Sequence, residues 1–394
     1  MTKEKLSEYL RSVTVMASVF PSPLHNRIGT KLLNIATQEQ FDFIWEEPYK
    51  SCRLLIKGFP GTGKTIIAHQ LIRKLFNNGA KQEEILYLTP HVTSRSQAEK
   101  KKCCVALTPE ALERDMANPT RKILYQAIKH IIVDDAQLIC ASKEPGDTKW
   151  FFFLEDLWKK RRRSNNDSIF WMFYGEHTYR ISDTRNMEIF HEHFEQEREL
   201  QKIIRNSHKI ARFAARYSEN QKYKDAVDDI MSVHGFEGQA VVCKEVPLSN
   251  DAQRVQAVGE FLNEVLLEGY NLEDVAILFS RKNDIPSILN CISSKAEYSW
   301  ISKENLKSKT ITTTKSAELP EVGNVQICSG SDNDITGQVV VDTIRRYSGL
   351  DRPVVLAVNP FVADYDRYTS INDLYLIIAT RPIAKLEVYS NKAK

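Results

Sequence analysis

The sequence has no Cys-x-x-Cys pair and an odd number of cysteines, seven in 394 residues. A disulfide framework uses an even set and a structural zinc site uses paired ligands, so neither organises this chain. A reducing, intracellular compartment is expected, nuclear or cytoplasmic. No run of about 18 apolar residues occurs, which excludes a helical membrane span. The opening MTKEKLSEYLRS has no apolar stretch of the kind a secretory leader needs. Charge of one sign is missing too. Lys and Arg number 54 against 51 for Asp and Glu, a net +3. That balance announces no polyanionic partner, although a local basic groove would vanish in the sum. No internal repeat or long low-complexity segment is present.

What is there is a globular composition, 42% hydrophobic and 27% charged, long enough for two cores. His191 and His193 invite a metal reading. Two residues apart on a helix they point to different faces, so HEHFEQERE reads as a solvated helical face instead.

Short apolar runs alternate with helical patterns. RLLIKG, EILYLTP, KHIIVDD and SIFWMFYG read as strands, and TIIAHQLIRKLFNNG as an amphipathic helix stopping at Gly79. Strands of this kind, separated by helices, form a parallel sheet covered on both faces. After about Glu197 the alternation restarts. QAVVCKEV and DVAILFS flank a helical RVQAVGEFLNEVLLEGY, and QVVVDTI, PVVLAVN and LYLIIAT follow as further strands. The expected division is an extension at 1–30, a first α/β domain at 31–197 and a second at 198–394. Lys307 to Asn324 is polar and turn-rich and reads as a surface loop or a reduced insertion.

Between the first strand and the first helix lies GFPGTGKT, a full match to G-x-x-x-x-G-K-[ST]. Gly58, Gly61 and Gly63 let backbone N–H groups curl round phosphate oxygens with no Cβ in the way. The helix that starts there adds its positive end. Lys64 would reach the β- and γ-phosphates, and Thr65 would hold Mg²⁺ through its hydroxyl. A plain Gly-rich turn is the bland alternative, but strand before and helix after are what phosphate binding requires. The substrate so implied is a nucleoside triphosphate, ATP, with Mg²⁺.

IIVDDAQ fits the second nucleotide motif. Asp134 would bind Mg²⁺ through water, and Asp135 would orient or deprotonate the attacking water. A strand ending in polar loop residues is the alternative.

With these two motifs the chain resembles helicase superfamily 1, and within it the C-terminal helicase-like region of the Schlafen family, without the N-terminal Schlafen core domain. The phrases carrying the likeness are LIRKLFNNGAKQEEILYLT, IIVDDAQ, RNSHKIARF, VVDTIRRYSGLDRPVV and LIIATRPIAKLEVY. The resemblance implies two RecA-like P-loop NTPase domains, each a mainly parallel sheet flanked by helices, with a nucleotide cleft between them. It implies that Gln40 reads adenine and that Arg205 and Arg381 meet the γ-phosphate. Asp351 would touch the ribose, and Arg345 and Arg346 would face the nucleic acid. An arginine supplied across a domain gap can be worth about 10³ to 10⁵ in rate. Residue by residue the bland readings differ. Arg205 sits among Lys202 and Lys209 on what could be a basic helix face, and Arg381 follows an apolar run as a loop residue would.

The chain also departs from the family pattern. Asp135 stands where Glu is usual, one methylene short of the water. Tyr179 stands where a Gln senses the γ-phosphate. Arg345 and Ser348 replace a His and a Lys. Groups that bind are kept and groups that couple are altered.

KKRRR, Lys159 to Arg163, follows aromatics and reads equally as a strand contact, an import signal or a solvated run. Phe152, Phe153, Leu157 and Trp158 read as a helix's core face. Lys100 to Lys102 form a second basic run. Two functions stay open: an ATP-dependent motor on single-stranded RNA or DNA, and a nucleotide- and nucleic-acid-binding regulatory module with impaired hydrolysis. A small-molecule kinase would leave the second α/β domain unexplained. The sequence does not fix the oligomeric state.

Overall fold

The computed structural model describes residues 44, 52–141, 148–163, 167–175, 184–194, 196–218, 237–280, 284–285, 339–344, 352–360 and 371–391. Gln40, Tyr179, Lys307 to Asn324, Arg345, Arg346, Ser348 and Asp351 lie outside them.

Two wholly parallel sheets make up the described residues. The first contains β1 (Arg53–Gly58), β2 (Ile85–Leu88), β3 (Val105–Leu107), β4 (His130–Val133), β5 (Phe170–Tyr174) and β6 (Glu197–Leu200), in the order β3-β2-β4-β5-β1-β6. Every residue of β2, β4 and β5 is buried, because helices cover both faces. Alternate side chains divide between two cores. Leu55, Leu86, Ile131 and Met172 face one side, and Ile56, Tyr87, Ile132 and Trp171 the other.

Helix α1 (Lys64–Asn77) buries Ile67, Ala68, Leu71 and Ile72, the spacing of one helical stripe. It ends where Gly79 takes φ +99°, a left-handed stop that glycine adopts without strain. Next come α2 (Val92–Lys101), α3 (Pro109–Met116), α4 (Ala136–Ala141), α5 (Lys149–Arg162) and α6 (Thr184–His193). On α5 the buried face is Trp150, Phe151, Leu154, Glu155 and Trp158. Trp158 is buried as expected, Phe153 and Leu157 pack partly buried against the same core, and Phe152 is exposed. HEHFEQERE is not one helix either. It ends α6 at His193 and becomes β6, which pairs with β1, so the first sheet runs to Leu200.

Helix α7 (His208–Arg216) packs on the second sheet, which contains β7 (Val242–Val246), β8 (Val275–Phe279), β9 (Val340–Thr343), β10 (Arg352–Val358) and β11 (Pro382–Asn391) in the order β7-β11-β10-β8-β9. Helix α8 (Asp251–Leu267) covers the other face. LYLIIAT corrects an expectation. It is not a strand but most of helix α9 (Ile371–Ala379). Leu374, Leu376, Ile377, Ile378 and Ala379 are all buried, so the segment shows no polar face by which its period could be read. The strand is the stretch after it, opened by Pro382 where a missing N–H costs least.

Candidate nucleotide site

The end of β1, the end of β4 and the turn after α9 converge. The cradle loop begins at Gly58 and closes at Gly63, which takes φ +87° and caps α1 from the left-handed region. Gly61 shares that φ, and a Cβ on it would come 2.6 Å from Asn206 Oδ1. A Cβ on Gly58 would meet Thr62 Oγ1 at 2.8 Å. Gly61 is thus required by space as well as by conformation, Gly58 by space and Gly63 by conformation. Lys64 is buried, and its ammonium donates to the carbonyls of Gly58 at 2.7 Å and Phe59 at 3.1 Å. It is held inside its own loop, where a phosphate would compete with those carbonyls.

Asp134 is fully buried at the end of β4. Its Oδ2 accepts from the Tyr87 hydroxyl at 2.9 Å. Its Oδ1 is buried and takes no hydrogen bond. Burial first, and the neighbouring Asp135 second, push its pKa up to about 6, against the Thr65 hydroxyl and Tyr87, which favour the charged form. A buried carboxylate oxygen with no donor, beside the hydroxyl of Thr65, fits a hydrated divalent cation.

Asp135 behaves oppositely. Burial would raise it, but the His91 hydrogen bond, the charges of His91 and Lys64, and Gln137 outweigh burial and hold it well below the carboxylate range. His91 Nε2 lies 2.8 Å from Oδ2, and Gln137 Nε2 donates to Oδ1 at 3.0 Å. Gln137 in turn accepts from the Gly175 N–H at 2.8 Å. Asp135 takes φ +49°, a left-handed backbone that a non-glycine residue holds only at a cost of order 1 kcal/mol.

The arginines come from the far side. The N–H groups of Ile204 and Arg205 both donate to the Gly61 carbonyl, at 2.9 and 3.2 Å. The Arg205 guanidinium donates to Thr380 O at 3.3 Å, and the buried Arg381 donates through Nε to Ile377 O at 3.1 Å. Asn206 Nδ2 donates to Ala379 O at 3.2 Å and Pro382 O at 2.6 Å. Segment 204–206 therefore joins the cradle to the turn carrying Arg381. Phe59, from the cradle itself, is buried in the core of the second sheet.

The structure thus brings together Gly58, Gly61, Gly63, Lys64, Thr65, Asp134, Asp135, Arg205 and Arg381. Reading the sequence missed Tyr87, His91 and Asn206. Tyr87 carried a faint signal, a polar-tipped residue in the strand that pairs with β4 (Tyr87 opposite Ile132). Asn206 carried none, since its contacts are about 175 residues away along the chain.

Residues 51–237 match a family model described as Schlafen group 3, DNA/RNA helicase domain. Over those residues the chain is similar to a Schlafen-type helicase domain. Its fold is similar to that of a solved helicase, the DUF1998 helicase MrfA bound to DNA, with a TM-score of 0.51 at 10% identity. The likeness covers 91% of this chain and 49% of that one. This chain therefore spans about half the length of the protein it resembles, and at that identity the likeness concerns the fold. Among the described residues no helix is long and apolar enough to cross a membrane.

The basic run at Lys159 to Arg163 is mostly engaged. Lys159 pairs with Glu155 at 3.1 Å, Lys160 with Asp156 at 2.6 Å, and Arg162 lies over the Trp158 ring. His191 is paired with Glu197, and His193 lies 2.6 Å from Glu155. Among the described residues no cluster of three or more metal-ligating side chains occurs.

Proposed function

We propose that this helicase-like protein binds ATP with Mg²⁺ between its two sheets and hydrolyses it slowly, in response to single-stranded RNA or DNA. The observation that carries the reading is the junction at Gly61. One carbonyl of the cradle accepts from Ile204 and Arg205, and the next residue, Asn206, holds the Arg381 turn. Those bonds hold Arg205 and the Arg381 turn against the cradle, where arginine charge would offset the charge that builds on a bound phosphate.

In this reading the glycine loop and Lys64 hold the phosphates, and Thr65 and Asp134 hold Mg²⁺. Bound there, Mg²⁺ would supply neutralisation of the phosphate charge. Asp135 orients the water that attacks the γ-phosphorus as ADP leaves. Arg205 and Arg381 offset charge on the equatorial oxygens. Gln40, Asp351, Arg345 and Arg346, outside the described residues, are assigned to adenine, ribose and strand.

Slow turnover follows from Asp135. A carboxylate held well below its usual range is a weak base, and a useful general base works near the operating pH. Asp135 is better suited to orient water than to take its proton. A second reading, a regulatory module that binds without turnover, is favoured by the same fact, because both Asp135 oxygens are already engaged.

Equilibrium binding of a fluorescent ATP analogue tests the site. Saturable, Mg²⁺-dependent binding abolished by Lys64→Ala is expected. Binding that Lys64→Ala leaves intact would move the nucleotide elsewhere and remove the proposal's basis.

A further inference from the structure

The carboxylate of Asp135 is braced from both sides of its strand. β4 lies between β2 and β5 in the sheet. His91 stands just past the end of β2, with its N–H donating to Thr89 Oγ1 at 3.3 Å and its carbonyl accepting the Arg95 N–H at 3.0 Å. Its ring reaches Asp135 Oδ2 at 2.8 Å. From the other side, Gln137 spans from Gly175, at the end of β5, to Asp135 Oδ1. Each oxygen is fixed by a group whose position is set by a different neighbouring strand. A side chain one methylene shorter than glutamate has fewer rotatable bonds to order, and here its remaining freedom is taken up by two donors.

We propose that His91 is a positioning residue for Asp135, fixing the short acid in the geometry from which it orients the attacking water. The inference rests on the ATP-hydrolysis reading of this site. It adds to it a residue that neither the motif pattern nor the family likeness singles out. Because His91 also begins α2, a displacement of that helix would move the acid, which gives the site a route for control from outside the nucleotide cleft.

The ring nitrogen facing Asp135 must carry the proton, since an ionised carboxylate only accepts. The test compares the full chain with His91→Ala, His91→Gln, Asp135→Asn and the His91→Ala/Asp135→Asn double variant. Strand-stimulated hydrolysis, analogue affinity and the histidine ring-proton spectrum are read for each. Misplacement of a reacting group by about 1 Å costs roughly 10²-fold, so His91→Ala should lower kcat about 10- to 100-fold and leave analogue affinity within about twofold. His91→Gln, which keeps a donor, should recover part of the loss. The double variant should be no slower than Asp135→Asn alone, because the two act as a unit. Wild-type kcat in His91→Ala, or losses that add in the double variant, would overturn the role. Should the unaltered protein bind the analogue without turnover, the hydrolysis reading fails separately. The pairing is then decided by the spectrum: a slowly exchanging Nε2 proton lost in both His91→Ala and Asp135→Asn retains it, and its absence from the unaltered protein removes it.

Discussion

Gly61→Ala should damage nucleotide binding more than its size suggests. The added methyl meets two obstacles. Alanine at φ +87° costs about 1–2 kcal/mol on its own. The methyl would also stand 2.6 Å from Asn206 Oδ1. Asn206 cannot step aside freely, because its amide is tied to Ala379 O and Pro382 O. Losing those two bonds costs about 0.5–1.5 kcal/mol each. The total, roughly 2–5 kcal/mol, divides between folding stability and the cradle's shape. Gly79 provides the control. It has φ +99°, and a Cβ there would meet nothing within 4 Å. Gly79→Ala should therefore show the backbone cost alone, lowering the melting temperature with analogue affinity unchanged. Gly61→Ala should lose at least about tenfold in affinity beyond that, read by fluorescence titration at a temperature where both variants are folded. Equal affinity in Gly61→Ala and Gly79→Ala would refute the claim that Asn206 packs the cradle against the second sheet.

Three further outcomes are expected. Tyr87→Phe removes the donor to Asp134 Oδ2 and should weaken Mg²⁺-dependent analogue binding about 10- to 100-fold, the usual effect of losing an outer partner, measured by Mg²⁺ titration. His130, buried at the start of β4, is pushed down to about 4 by burial first and by Lys129 second. Its folded value lies below the unfolded one, so it contributes stability above about pH 6.5 that is lost as pH falls towards 4. The loss between pH 7 and pH 5 is about 2 kcal/mol at most, and His130→Val should shrink the corresponding shift in a pair of urea melts. Asp135→Glu should raise strand-stimulated kcat if reach is limiting, and an unchanged or lower kcat would mean that the bracing by His91 and Gln137 is tuned to the shorter acid.

Much of the first sheet was legible because its strands are short apolar runs set between polar helices with clear stops, as at Gly79. The Gly-rich loop was legible because its pattern fixes four positions within eight residues, between a strand and a helix. The second half was harder for a stated reason. Helix α9 is buried almost all round, and a segment without a polar face has no period to read. On α5 Phe153, Leu157 and Trp158 were legible as core-facing, but Phe152 was not separable from Phe151, since WFFF offers aromatics on every side. Of the two acids' partners, Tyr87 carried only a faint signal and His91 none. Tyr87, His91 and Gly175 reach β4 only because the sheet order puts β2 and β5 beside it, and strand order is a property of the fold.

We infer that one nucleotide site, completed by arginines from the second sheet, drives a strand-dependent reaction. Steady-state ATP hydrolysis with Mg²⁺, with and without single-stranded RNA and DNA, tests it most directly, with Lys64→Ala and Arg381→Ala alongside. Slow turnover that a single strand stimulates and that both variants lose is the expected result. Turnover no greater than that of Lys64→Ala under every condition would contradict it and leave the binding module as the function.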